Sequence, residues 1–210
     1  ALLGTDDRNP DTDGDGVLDG CEDVNRNGQR DGFESDPNEA DTDGDGISDG
    51  DEDQNSNGVY DQGETDPLSP DTDQDGTPDG AEDRNHNGVV DEGEMDPRSD
   101  DSDGDGILDA IEDRDHDGVY TDDGVETDAG SRDTDGDGMP DGFEYCYDSI
   151  LDAANASDAF GDEDEDGLNN RAEYDVARTW GATNFTSPLS ADTDEDGMPD
   201  GWESDWGLHP

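Results

Sequence analysis

Cysteine is nearly absent from this chain: Cys21 and Cys146 are the only two among 210 residues, and they lie 125 residues apart. This scarcity excludes the dense disulfide framework that stabilises many small secreted domains. Aromatic residues are also few, at 6%. Whatever orders the chain must therefore come neither from a disulfide network nor from a large aromatic core.

Basic residues are scarce as well. Lys and Arg number 9 against 67 Asp and Glu, which gives a formal net charge of −58. Because phosphates and anionic headgroups would be repelled by this charge, the composition argues against nucleic acid as a partner and against unassisted binding to anionic lipid. Direct membrane insertion is not expected either, since no apolar run approaches the roughly 20 residues that span a bilayer.

Only 24% of the residues are apolar, a composition that by itself describes a disordered chain. Apolar burial on this scale cannot offset the conformational entropy of ordering the chain, and the carboxylates would repel one another. Folding then requires positive charge inside the structure, which bound divalent cations can supply. No signal peptide precedes Ala1, so we interpret the sequence as a mature chain or an excerpt.

One pattern recurs eleven times: an acidic loop of the form DxDxDG, or its amide-substituted form, usually followed by Asp three residues after the glycine and by Glu three residues later. Seven of these, here named leading loops, begin at Asp11, Asp41, Asp71, Asp101, Asp133, Asp162 and Asp192. Their spacings of 30, 30, 30, 32, 29 and 30 residues indicate a tandem repeat. Four trailing loops follow directly after leading loops and begin at Asp23, Asp53, Asp83 and Asp113.

This residue order suits calcium. Calcium takes about six to eight oxygen ligands in flexible geometry, whereas magnesium requires a stricter octahedron. In a twelve-residue loop the side chains at positions 1, 3 and 5, the carbonyl at position 7, the side chain at position 9 and a bidentate Glu at position 12 supply those oxygens. The glycine at position 6 permits the positive φ that turns the chain around the ion.

The predicted ligands follow from these positions. In the leading loops they are Asp11, Asp13, Asp15, Val17, Asp19, Glu22, Asp41, Asp43, Asp45, Ile47, Asp49, Glu52, Asp71, Asp73, Asp75, Thr77, Asp79, Glu82, Asp101, Asp103, Asp105, Ile107, Asp109, Glu112, Asp133, Asp135, Asp137, Met139, Asp141, Glu144, Asp162, Asp164, Asp166, Leu168, Glu173, Asp192, Asp194, Asp196, Met198, Asp200 and Glu203. In the trailing loops they are Asp23, Asn25, Asn27, Gln29, Asp31, Glu34, Asp53, Asn55, Asn57, Val59, Asp61, Glu64, Asp83, Asn85, Asn87, Val89, Asp91, Glu94, Asp113, Asp115, Asp117, Val119, Asp123 and Glu126.

The count of carboxylates exceeds what one ion per loop would neutralise. We therefore predict about one to two calcium ions per loop, with the connector residues Asp36, Asp66 and Asp96 as extra ligands. Affinity per site is expected to be modest, about 10⁻⁴ to 10⁻³ M as in extracellular modules. Millimolar calcium is available outside cells, so the sequence predicts a secreted or cell-surface protein.

The architecture follows from the absence of room between loops. Glu22 is followed at once by Asp23, so the helices that flank an EF-hand loop do not fit and the loops must pack on one another. We expect a mostly irregular fold: an elongated tandem array of calcium-binding loops wound around rows of ions, with little regular secondary structure. Position 7, apolar in most copies, would cover a neighbouring loop.

Two regions are expected. Residues 1–132 hold four tandem double-loop repeats, and residues 133–210 hold three degenerate repeats with single loops and small apolar packing segments. Leu168, Ala172 and Val176 recur at helical spacing, which predicts a short helix near 169–178.

Stretches such as DTDGDGVLDGCEDVNRNGQRDG and DTDGDGISDGDEDQNSNGVYDQG resemble the thrombospondin type 3 repeat family, over roughly residues 5 to 205. DTDGDGMPDGFE at 133–144 and DTDEDGMPDGWE at 192–203 look more like its bacterial cell-surface variants, and the frequent disulfides of the animal members are missing. The resemblance implies short loops wound around internal calcium ions, secretion, and a spacer or adhesive role.

These observations predict a calcium-dependent structural protein, a rigid stalk or spacer or a head-to-tail extracellular fibre subunit. Its partners would be further copies of itself or other extracellular matrix or surface proteins. Two alternatives stay open: an adhesin or dockerin-like binding module, because DEDEDGLNNRAEY at 162–174 resembles half of a dockerin, and an extracellular calcium reservoir or switch. An enzyme is not expected, because every pair of carboxylates already belongs to the repeat.

Overall fold

The computed structural model describes residues 4–121, 124–180, 186–208 and 210. Within these ranges the chain is mostly irregular, with short helices and no β-strand; a single isolated bridge pairs Gln62 with Glu64. The expected scarcity of regular secondary structure is confirmed.

The helices follow the repeat. Four of them are single turns: α1 (Asp19–Glu22), α2 (Asp49–Glu52), α3 (Asp79–Glu82) and α4 (Asp109–Glu112). Longer helices are α5 (Asp141–Cys146), α6 (Asn170–Trp180) and α7 (Asp200–Trp206), and a 3-10 turn spans Asp158–Phe160. The helix predicted near 169–178 is therefore present as α6.

Each single-turn helix covers positions 9 to 12 of a leading loop, and local sequence explains why. In the second repeat, Gly46 at φ 111° turns the chain, and Ser48 is extended at the N-cap, where its hydroxyl accepts a hydrogen bond from the Asp51 amide. The Asp53 amide then bonds the Asp49 carbonyl and closes the turn. The helix ends there because Asp53 already starts the trailing loop.

The chain divides into two compact units. Unit 1 comprises Ala1–Asp103 with Leu108–Tyr120, and unit 2 comprises Gly104–Ile107 with Thr121–Pro210. The boundary predicted from the sequence lies between residues 132 and 133. The leading loop that begins at Asp101 contributes to both units.

Unit 1 is held together by contacts between successive repeats. A Cβ atom on Gly50 would overlap the carbonyl oxygen of Asp15, and one on Gly80 would overlap that of Asp45. Position 10 of a leading loop therefore lies directly on position 5 of the preceding one. Trailing loops also touch the preceding repeat: a Cβ on Gly58, at position 6 of its loop, would overlap the carbonyl oxygen of Cys21 in the preceding leading loop. Glycine is needed at these positions for close backbone approach.

Unit 2 contains a small apolar core, formed by Met139, Phe143, Leu151, Ala159 and Tyr174. The Phe143 ring centroid lies 5.1 Å from those of both Tyr147 and Tyr174, in tilted geometry. Sequence reasoning placed apolar packing segments in this region. It did not assign Met139 and Phe143 to the core, because both belong to a leading loop.

Position 7 behaves differently in the two loop types. In leading loops Val17 and Ile47 are 1% and 0% exposed, whereas Val59 and Val89 in trailing loops are 46% and 51% exposed. The expectation that apolar side chains at this position cover a neighbouring loop therefore holds for leading loops of unit 1 and not for its trailing loops.

Candidate metal centre

The acidic side chains of a leading loop converge. Side-chain oxygens at positions 1, 3 and 5 lie within 4.8 Å of one another in three loops of unit 1: Asp11, Asp13 and Asp15; Asp41, Asp43 and Asp45; Asp71, Asp73 and Asp75. Backbone amides aim these carboxylates: Gly44 N–H donates to Asp41 Oδ1 at 2.7 Å, and Ile47 N–H donates to Asp45 Oδ1 at 2.8 Å. The loop geometry thus gathers three carboxylates, as the spacing predicted.

The glutamate at position 12 is the most buried polar group of the repeat. Glu22, Glu52 and Glu82 are 0 to 1% exposed, and they rank among the largest fully buried side chains. Among the described residues, neither carboxylate oxygen of Glu52 or Glu82 has a hydrogen-bond partner. Unpaired buried carboxylates are strongly unfavourable, so these groups call for a compensating positive charge.

Burial changes the acidity of these groups. Together with the smaller effect of neighbouring aspartates, it raises the pKa of Glu22 to about 8, of Glu52 to about 10 and of Glu82 to about 10. In unit 2 burial likewise raises the pKa of Glu144 and of Glu173 to about 9. At neutral pH each group needs either a proton or a cation.

Position 9 is held by a hydroxyl that the sequence analysis did not single out. Thr72 N–H donates to Asp79 Oδ1 at 2.7 Å, and Thr72 Oγ1 donates to Asp79 Oδ2 at 2.6 Å. The same hydroxyl accepts a hydrogen bond from the amide of the connector residue Asp66 at 2.9 Å. The signal was available, because position 2 is Thr or Ser in every leading loop except the one that begins at Asp162, which has Glu163.

The position 9 carboxylate meets acids of the preceding repeat. Asp49 lies with Asp15 and Glu22 in one group whose oxygens fall within 4.8 Å of one another. The next repeat shows the same arrangement, with the group Asp45, Glu52 and Asp79. Sequence spacing assigned Asp49 and Asp79 to their own loops and could not show this neighbour.

Trailing loops satisfy most of their carboxylate oxygens internally, although Asp53 Oδ1 and Asp83 Oδ1 are buried without a hydrogen-bond partner among the described residues. Asn25 Nδ2 and Asn27 Nδ2 both donate to Asp31 Oδ2 at 2.7 Å, and Asp31 N–H donates to Glu34 Oε2 at 2.9 Å. The loop from Asp53 repeats this, with Asn57 Nδ2 donating to Asp61 Oδ2 at 2.8 Å. The predicted ligands Asp31, Glu34 and Asp61 are therefore gathered, but amide groups already partner them.

The connector aspartates take part in turns. Asp36 Oδ1 accepts from the Asn38 amide at 3.1 Å, and Asp36 Oδ2 pairs with Arg30 at 3.1 Å. Asp66 Oδ1 accepts from the Leu68 amide at 3.1 Å. Asp96 Oδ1 forms an ion pair with Arg98 Nε at 2.7 Å. Their role as extra ligands stays a prediction.

In unit 2 the leading loop that begins at Asp162 carries Asn170 at position 9, which has no charge. Asn170 Nδ2 donates to the carbonyl oxygen of Asp158 at 2.7 Å. The Asp158 carboxylate, which no spacing rule predicted, lies close enough to Glu144 and Asp135 to raise the pKa of both. An acid from the 3-10 turn thus stands near the position 12 glutamate of the preceding loop.

The remaining leading loops retain the pattern. Thr193 N–H donates to Asp200 Oδ1 at 2.9 Å, and Gly201 N–H donates to Asp166 Oδ2 at 2.7 Å. In the loop divided between the units, Ser102 N–H donates to Asp109 Oδ1 at 2.9 Å within unit 1. The predicted ligand Asp123 lies outside the described residues.

The donor set defines the class of ion. The converging groups supply oxygen only, from carboxylates and carbonyls, which suits a hard divalent cation rather than a soft or imidazole-binding metal. The buried unpaired glutamates fit such an ion, since it would replace the missing hydrogen bonds and neutralise the charge. The leading loops therefore can hold metal ions.

Comparisons with protein-family models, with curated proteins and with solved structures give no match. In the part of the chain that the structure describes, no helix is both long and apolar enough to cross a bilayer.

Proposed function

We propose that this chain is a secreted, calcium-dependent structural protein, a stalk, spacer or head-to-tail fibre subunit whose bound ions take the place of a large apolar core. In this proposal, loops of the thrombospondin type 3 kind wind around about one to two calcium ions each. The protein acts mechanically: it keeps a defined form when calcium is present.

The burial of charge supports this proposal. In unit 1, positions that a typical domain would fill with leucine or phenylalanine hold Glu22, Glu52 and Glu82, all almost fully buried. Apolar burial is small by comparison, with Val17, Ile47 and Met95 as its main contributors there. Because burying a charged carboxylate costs several kcal/mol unless it is paired, a bound cation would stabilise this arrangement.

Calcium is favoured over magnesium on ligand number. A leading loop offers three aspartates, a carbonyl and a glutamate with two oxygens, which is more than a magnesium ion accepts from protein while keeping its waters. Modest affinity would match a calcium-rich medium outside cells. Binding to the folded form alone then makes folding depend on calcium.

Small-angle scattering and near-ultraviolet circular dichroism test the proposal. With about 2 mM calcium, in the range that extracellular modules require, we expect a folded chain with a sharp near-ultraviolet signal. After chelation we expect an expanded chain that has lost this signal. A chain that keeps both its dimensions and its spectrum in excess chelator would refute the proposal.

A separate measurement tests which ion the folded chain requires. Magnesium at the same concentration should restore the folded signal only partly, because its octahedral preference leaves some carboxylates uncoordinated. Sodium chloride at matched ionic strength controls for simple screening of the net charge. Full recovery in sodium chloride would show that charge screening, and not site binding, orders the chain.

A further inference from the structure

Where successive repeats of unit 1 meet, acidic side chains from both repeats lie together in one group. Asp15 and Glu22 come from the first leading loop, and Asp49 comes from the second, yet their oxygens lie within 4.8 Å of one another. The group Asp45, Glu52 and Asp79 repeats the arrangement one period later. Three carboxylates from two repeats therefore converge at each of these junctions.

Burial distinguishes these groups from an ordinary acidic surface. Glu52 and Asp49 are each 1% exposed, and Asp79 is 0% exposed. Glu52 contributes a carboxylate oxygen to its group, and neither of its two oxygens has a hydrogen-bond partner among the described residues. Such a side chain indicates a ligand with positive charge rather than solvent.

The third carboxylate is held in place independently of any ion. Thr42 bonds both oxygens of Asp49, through its amide at 2.7 Å and its hydroxyl at 2.7 Å. Gly50 packs on the Asp15 carbonyl with no room for a Cβ atom. At the next junction Gly80 N–H donates to Asp45 Oδ2 at 3.1 Å. The two backbones are thus in direct contact where the acids meet.

Unit 2 also places an acid near the position 12 glutamate where its sequence departs from the repeat. Asn170 removes the charge from position 9, and Asp158 brings an acid beside Glu144 instead. One loop later, Asp200 again lies close to Glu173. An acid near each of these position 12 glutamates is therefore present even though its origin along the chain changes.

We infer that the junctions Asp15–Glu22–Asp49 and Asp45–Glu52–Asp79 are divalent-cation sites shared between successive repeats, in addition to the sites inside each loop. This inference rests on the proposed function, since it takes calcium as the ion. A shared ion fastens one repeat to the next and neutralises the acids that their contact buries. The junction stiffens only when calcium is bound.

A double-variant cycle in the whole chain tests the inference. Bound calcium is counted by equilibrium dialysis for D49N, D15N and the double variant D15N/D49N, all at saturating calcium. Asparagine keeps an acceptor for the Thr42 amide, so the fold of this segment is preserved. If Asp15 and Asp49 share an ion, D49N loses about one ion and the double variant loses no more than D15N alone.

The control pair is D15N with D45N, which lie at the same position of successive leading loops. The inference expects their losses to add, because the two residues serve different loop sites and different shared sites. D51N, an exposed change of the same charge on α2, should lose no ion. Additive losses for D15N and D49N would overturn the inference.

A second measurement uses the unsubstituted chain, so it remains informative if a double variant fails to fold. Manganese is titrated into the unsubstituted chain, and paramagnetic broadening of amide resonances is followed by NMR. An ion shared across the junction broadens the Gly16 and Gly50 amides with one midpoint. If the Gly50 amide broadens only with the midpoint of its own loop, the inference is overturned. If the unsubstituted chain binds no calcium at all, the proposed function itself is refuted.

Discussion

The Gly80 amide donates a hydrogen bond to Asp45 Oδ2 at 3.1 Å, across 35 residues of sequence. This bond fixes the start of α3 on the leading loop of the preceding repeat. It also leaves the Asp79 carboxylate beside Asp45 and Glu52. The contact between repeats therefore also brings the acidic side chains together. Substitutions at the contact should affect both the packing of the repeats and the acidic group.

The first prediction concerns the glycine at position 10. G50A should destabilise unit 1 by about 1–3 kcal/mol, because the new Cβ would overlap the Asp15 carbonyl and backbone atoms cannot move aside easily. Urea unfolding in saturating calcium measures this. The matched control is G20A: no described atom lies within 4 Å of a Cβ there, so that change should be neutral or slightly stabilising.

The second prediction separates the two loop types. E52Q should weaken calcium binding at least about tenfold at its site, since Gln keeps the shape but removes the charge. E64Q in the adjoining trailing loop should have a smaller effect, because Glu64 already accepts from Asn55 Nδ2 at 2.7 Å and from the Asp61 amide at 3.0 Å. Calorimetric calcium titration compares them. Equal losses of calcium affinity in E52Q and E64Q would contradict the distinction between leading and trailing loops.

The third prediction concerns the hydroxyl that orients position 9. T72V should cost about 1–3 kcal/mol of stability, because it removes the donor to Asp79 and the acceptor for the Asp66 amide while keeping the side-chain volume. T72S should restore most of the loss, as Ser102 fills the equivalent position in the fourth repeat. Thermal unfolding measures both variants, and a T72S variant as unstable as T72V would argue against the hydroxyl.

The fourth prediction concerns pH without calcium. Glu52 has a pKa of about 10 in the folded chain against an ordinary value of 4.5, so between these pH values the folded form binds more protons than the unfolded form. In chelator, where the chain is expanded at neutral pH, the folded fraction should therefore increase as the pH is lowered from about 8 to 5. Near-ultraviolet circular dichroism at each pH measures this fraction.

Calcium should reverse this trend, because the ion competes with protons for the same buried carboxylates and binds better as pH rises. Parallel unfolding at pH 5 and pH 8 in saturating calcium provides the comparison. A calcium-free chain that is more stable at pH 8 than at pH 5 would contradict the raised pKa of Glu52 and its equivalents.

The sequence by itself determined the period, the loops and the helix α6. Carboxylates at positions 1, 3 and 5 converge because a turn at glycine 6 brings near neighbours together, and this depends only on residues a few positions apart. Amphipathic spacing likewise predicted α6, since helical periodicity is also local. Both therefore could be recognised without knowing what packs on them.

Only the tertiary structure decided which repeat each acid serves. Asp49 meets Asp15 and Glu22, Asp158 lies beside Glu144, and position 7 of unit 1 is buried in leading loops alone. These outcomes depend on how one repeat packs on another about 30 residues away. Spacing within a loop carries no information on that contact, because it is fixed by backbone surfaces that form only when the chain is folded.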